Sequence, residues 1–176
     1  MDFNLKEAIG MLERTPKTLE SFLSGLSEGW LTCNEGEGTW STSQVIDHLI
    51  ECEKTNWIPR LRTIVESENK DFPPFDRDAH LSKASDSSID QKLAAFKRLR
   101  AQNVLIVIGL IKSDAQFELT GNHPAFGEVK LRELLSTWVV HDLTHISQIV
   151  RVMAERYRED VGPWEAYLGV LKKDHH

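Results

Sequence analysis

Only two cysteines, Cys33 and Cys52, occur in this 176-residue chain. That is too few for the disulfide framework of a secreted scaffold. No run approaches the ~20 apolar residues that a membrane span needs. The first residues, Met1-Asp2-Phe3-Asn4-Leu5-Lys6-Glu7, supply neither a basic nor an apolar leader region. These absences are read as a cytoplasmic chain with no membrane partner. A basic excess is missing too. The net charge is −6, the Lys and Arg residues are scattered, and phosphate binding needs a basic surface. The densest basic cluster, Lys97-Arg98-Leu99-Arg100, reads as the wet side of a helix, so nucleic acid is not expected as a partner. Internal repeats and low-complexity segments are also lacking.

What is present is ordinary globular usage, with 40% hydrophobic and 27% charged residues. The length suits one domain spanning residues 1–176. Helical spacing dominates. Leu5, Ile9 and Leu12 form an apolar stripe, and Thr15-Pro16 then offers a cap followed by a first-position proline, with Leu19, Phe22, Leu23 and Leu26 continuing to Gly29. After the polar, glycine-rich turn at residues 33–38, Ser41-Thr42-Ser43-Gln44 is a capping box opening a helix with Val45, Ile46, Leu49, Ile50 and Cys52. Pro59 should kink or loosen this helix, which otherwise runs towards Ile64 and Val65.

Residues 69–87 form the longest irregular stretch, centred on Phe72-Pro73-Pro74-Phe75. The two phenylalanines predict a loop that packs on the helices. Ser88-Ile89-Asp90-Gln91 is a second capping box, and a last long helix is expected from Leu131 to about Tyr157, with a short one near Trp164–Leu171. Residues 114–130 are irregular, and no alternating strand pattern is convincing. The fold class is therefore all-α, a four-helix bundle with short additional helices and a connection at 69–87 long enough to cross it.

Three histidines stand out. His141 and His145 lie four residues apart on one face of the last long helix, and His48 lies on another apolar helix. An i, i+4 pair lets two imidazoles reach one divalent ion, and a third would complete a three-nitrogen site with open positions. On a helical wheel Leu131, Leu134, Trp138, His145, Ile149 and Val152 share one side, with His141 at its edge. The alternative is a set of packed, hydrogen-bonded core histidines. His80 and His123 lie in loops, where solvation is the default. The closing His175-His176 pair suits a native tail or a tag and is set aside.

No catalytic carboxylate is obvious. Asp47, Glu51, Glu53 and Asp142 are near the histidines in sequence, and Gln44 and Gln148 sit one turn from a histidine each. Cys52, one turn after His48, suits either a soft ligand or a space-filling core thiol. His141-Asp142-Leu143-Thr144-His145 invites comparison with the zinc-protease helix His-Glu-x-x-His. Asp142 is one methylene shorter than that glutamate, and no strand is expected that could align a peptide.

The chain resembles the DinB/YfiT-like superfamily of helical bundles along nearly its whole length. The residues that carry the likeness are Gly38-Thr39-Trp40-Ser41, Val45-Ile46-Asp47-His48-Leu49-Ile50 with Glu53, Thr137 through Ile149, and Val161-Gly162-Pro163-Trp164. The resemblance implies a four-helix bundle in which three histidines from two helices hold a divalent metal, here His48, His141 and His145. Some members are thiol S-transferases, others are described only as metal-dependent hydrolases.

The resemblance therefore implies a metal-dependent enzyme. Its cofactor would be Zn²⁺ or Ni²⁺, and its substrate a small electrophilic molecule to which a low-molecular-weight thiol is transferred. Hydrolysis is the alternative reaction, and a homodimer is a further implication. Two rival readings are a non-catalytic bundle with a structural metal or bound ligand, and an interaction module presenting exposed aromatics from among Trp30, Trp57 and Trp164.

Overall fold

A computed structural model of the chain describes residues 3–82 and 87–172. The capping boxes open the helices where the sequence places them. The Ser41 hydroxyl accepts from the Gln44 backbone N–H while Gln44 Oε1 accepts from the Ser41 N–H, starting α3 (Thr42–Thr55). Ser88 and Gln91 repeat the arrangement at the start of α6 (Ile89–Leu110). The last long helix, α7, spans Leu131–Ala154 and tightens into a 3₁₀ turn at Glu155–Tyr157. Further 3₁₀ turns at Gly162–Tyr167 and Gly169–Leu171 take the place of the short helix expected there.

The break expected from Pro59 falls between α3 and α4 (Trp57–Glu66), at Asn56. Pro59 has no N–H for the Thr55 carbonyl, so the ladder is interrupted one turn before the proline. Thr15-Pro16 does the opposite of what its sequence suggests. One helix, α1, runs unbroken from Leu5 to Leu23 with Pro16 inside it. The short α2 (Glu28–Thr32) follows and packs on α3.

The bundle is formed by α1, the α3–α4 pair, α6 and α7. Helix α1 packs on α6 and α7, and α3 packs on the same two. The helices that carry His48 and the His141–His145 pair are therefore neighbours. Two apolar clusters stabilise the bundle. One gathers Leu12, Trp57, Leu61, Val104, Leu135 and Trp138, the other Leu19, Val45, Leu49, Phe96 and Ile149. Along α3, α6 and α7 a band of buried polar residues falls between the two, namely His48, Glu53, Arg100, Asn103, Asp142 and His145, with half-buried His141 beside them.

One departure from the all-α expectation is a two-stranded antiparallel hairpin, β1 (Thr120–His123) and β2 (Gly127–Lys130). Its strands are four residues long, and Gly, Asn and His are weak strand formers. The sequence pattern is correspondingly faint. The hairpin holds the 69–75 loop. The Phe72 N–H donates to the Asn122 carbonyl at 2.9 Å, and the Asn122 N–H donates to the Lys70 carbonyl at 2.7 Å. Gly121 permits this approach, because a Cβ there would run into the Phe72 ring. As expected, the loop packs inward through buried Phe72 and half-buried Phe75, and a short α5 (Ala79–Ser82) follows. Part of the 69–87 stretch, and His175-His176, lie outside the described residues. Among the described residues no helix is long and apolar enough to cross a membrane.

Candidate functional site

His48 reaches the α3–α7 interface from α3, and α7 presents His141 and His145 on successive turns. Their Nε2 atoms converge. His141 Nε2 lies 3.3 Å from His48 Nε2 and 3.1 Å from His145 Nε2. His48 and His145 are 2% and 5% exposed. The rings are confined by Trp40, whose centroid lies 4.8 Å from that of His48, and by Trp57 at 5.1 Å from His141.

Hydrogen bonds set the direction of the nitrogen lone pairs. His48 Nδ1 donates to the Arg77 carbonyl at 3.2 Å, and His145 Nδ1 donates to Gln148 Oε1 at 2.8 Å. Both therefore turn an unprotonated Nε2 inward. His141 Nδ1 is buried with no partner. Besides His141, the Cys52 thiol at 3.4 Å from His48 Nε2 is a donor within reach of these inward lone pairs. Burial, reinforced by the neighbouring imidazoles, pushes His48 down to about 3 and His141 to about 2. Burial also lowers His145. All three are neutral near pH 7, the form that binds metals.

The donor set fits a divalent cation. Metal–nitrogen bonds of about 2.0–2.1 Å in tetrahedral geometry place the nitrogens about 3.3 Å apart, close to the distances from His141 to His48 and to His145. A cation between the rings would take up the inward lone pairs of His48 and His145. Cys52 Sγ lies behind them, 3.4 Å from His48 Nε2 and 3.9 Å from His141 Nε2. The ligand atoms of His48, Cys52 and His141 all fall within 4.8 Å of one another. Burial, followed by the nearby Glu53 and Asp142 carboxylates, pushes the Cys52 thiol up and favours its neutral form.

Glu53, Asp142 and Asp47 are held in ion pairs. Glu53 and Asp142 both grip Arg100, with Arg100 Nη1 at 2.6 Å from Asp142 Oδ2 and Nη2 at 2.8 Å from Glu53 Oε1. Asn103 Nδ2 and Trp138 Nε1 also donate to Glu53. Burial lowers the Arg100 pKa, but the two carboxylates more than offset it and hold the guanidinium above its ordinary value. Asp142 is therefore no counterpart of a protease base. Arg100 itself is a correction, since it is 1% exposed and not on the wet side of its helix; only Lys97 and Arg98 of that cluster are exposed. Asp47 pairs with Lys92 at 2.6 Å, and Gln44 serves the α3 cap.

Other expectations also change. His80 is buried, with its ring edge-on to Trp40 and its Nδ1 on the Arg77 carbonyl at 3.2 Å. Trp57 is 3% exposed and stacks on Trp138 with centroids 5.4 Å apart, so it offers no partner surface; Trp164 is exposed.

The three imidazoles line a cavity of about 750 Å³. Phe72 and Phe75 form part of its wall, so the loop flanks the histidines and does not merely seal one end of the bundle. His123 joins them from the hairpin, stacked on Phe126. Glu133 is the one carboxylate lining the cavity among the described residues.

These features define a class, a helical bundle with buried neutral imidazoles in the wall of a ligand-sized cavity. The chain belongs to the DinB superfamily, whose family model matches residues 11–149. It is similar to a Bacillus licheniformis protein named "Putative metal-dependent hydrolase", with 29% identity over 148 residues covering 82% of each chain. A Bacillus cereus protein of the same name is 24% identical over 140 residues, 78% of this chain and 79% of that one. The fold matches YfiT from Bacillus subtilis, described as "a probable metal-dependent hydrolase with an unusual four-helix bundle topology". The TM-score is 0.72 at 23% identity, over 89% of this chain and 87% of that one.

Proposed function

We propose that this protein is a metal-dependent hydrolase acting on a small molecule, with His48, His141 and His145 holding one Zn²⁺ or Ni²⁺. The observation behind this reading is the approach of three inward Nε2 atoms, at 3.1 and 3.3 Å, in the wall of a large cavity. The names of the relatives support hydrolysis. When bound, such an ion supplies a Lewis acid that polarises a scissile bond and lowers the pKa of an attacking water or thiol.

The protein's own contribution is orientation and shielding. The Arg77 carbonyl and Gln148 keep protons on Nδ1 of His48 and His145, leaving Nε2 free to bind. Trp40 and Trp57 hold the rings in place, and Phe72 and Phe75 give the cavity an apolar wall that limits water. Imidazole suits several divalent ions, so the metal is a matter for measurement.

The thiol transfer expected from the family resemblance would use the same residues with a thiol as nucleophile. The test is turnover of small esters, amides and lactones by metal-loaded protein, with and without added thiol. Thiol-independent hydrolysis that disappears on chelation is expected. Turnover that requires the thiol would replace this reading with S-transfer, and chelator-resistant turnover would remove the metal from it.

A further inference from the structure

Arg60, on α4, is the unusual cation of this cavity. It is half-buried and lines the same wall as the histidines. Its guanidinium lies over the rings of Phe72 and Phe75, at 5.4 and 5.8 Å from their centroids. Its Nε is buried without an acceptor, and no carboxylate pairs with it among the described residues.

Other arginines removed from water are compensated. Arg100 is held by Glu53 and Asp142, Arg158 by Glu155, and Arg151, which also lines the cavity, by Glu35. Arg77 lines the cavity as well, but it is exposed and lies over Trp40. A guanidinium drawn from water onto aromatic faces, with its fork unpaired, is a group prepared for a planar anion.

We propose that Arg60 is an anion-binding residue and that the ligand of this cavity is an amphiphilic monocarboxylate. Its carboxylate rests on Arg60 and its apolar part lies against Phe72, Phe75 and Trp57. A single negative charge suits the site because Arg60 is the one uncompensated, half-buried cation there, and Glu133 in the same wall disfavours a second charge. The proposal rests on this cavity being the substrate site, and it names the substrate class.

The test compares 4-phenylbutanoate with its neutral amide by calorimetry, on metal-free protein so that the carboxylate cannot bind an ion instead. The acid should bind about tenfold tighter than the amide to the parent. In Arg60→Met the two should fall within about twofold of each other, and Arg60→Lys should keep part of the preference. Equal binding of acid and amide to the parent would overturn the proposal without recourse to any variant. So would the absence of saturable binding by the acid, or a preference that survives in Arg60→Met. Metal uptake, measured on the same samples, reports separately on the histidine site. An acid preference without metal uptake would uphold the role of Arg60 and remove the metal.

Discussion

The Arg100 guanidinium donates to the Leu12 carbonyl at 2.9 Å. That carbonyl is the acceptor Pro16, four residues on, cannot use, because proline has no N–H. Arg100 thereby repairs α1 at its proline while its other donors join Glu53 on α3 to Asp142 on α7. Asp142 directly follows His141 and Glu53 directly follows Cys52. The buried ion network therefore fixes the two helices that bring the histidines together.

Arg100→Met should destabilise the protein by about 3–5 kcal/mol, since it leaves two carboxylates buried without their cation. Replacing Glu53 and Asp142 by apolar residues in the same variant should recover part of that loss. Urea unfolding of metal-free protein measures both. A loss below about 1 kcal/mol for the single variant would show that the network does not hold the bundle.

Gln148 orients His145 without entering the cluster of nitrogens. Gln148→Ala should weaken metal binding about 10- to 100-fold while leaving the fold unchanged. Competition with a chromophoric chelator reads the affinity, and circular dichroism reads the fold. An unchanged affinity would mean that packing alone sets the His145 ring.

The lowered histidine pKa values give metal-free protein a definite pH dependence. Unfolded histidine titrates near 6.5, whereas His48 and His141 are held down to about 3 and about 2. Above about pH 6.5 neither state binds these protons, and stability is insensitive to them. Below it the unfolded chain takes up protons that the folded chain refuses, so stability falls as the pH drops towards those folded values. The slope is up to about 1.4 kcal/mol per pH unit for each histidine. Denaturation midpoints between about pH 7.5 and 5 should decline, and His48→Gln should reduce the decline. A flat profile over that window would contradict the burial of neutral rings.

Much of this arrangement is visible in the sequence because it depends on local spacing. The i, i+4 histidines, the two capping boxes and the apolar face of α7 need only neighbouring residues to be recognised. Arg100 could not be found that way. It sits in a basic tetrapeptide, and its burial depends on partners 47 and 42 residues away in sequence. The unbroken α1 was hidden for the same reason, since the donor that repairs its proline comes from α6. The hairpin was obscured by its weak strand formers, and with it the support that places Phe72 and Phe75 beside the histidines. Arg60 gave no local signal at all, because an unpaired arginine looks like any surface cation until its surroundings are known.

The central claim is the metal, and its most direct test is elemental analysis of tag-free protein purified without metal-affinity chromatography. The parent and His48→Ala, His141→Ala and His145→Ala should each be analysed as purified and after Zn²⁺ or Ni²⁺ loading and desalting. About one ion per chain is expected in the parent, with each variant losing most of it. A parent that retains no metal after loading, or variants that retain as much as the parent, would contradict the claim and leave the three imidazoles as packing residues.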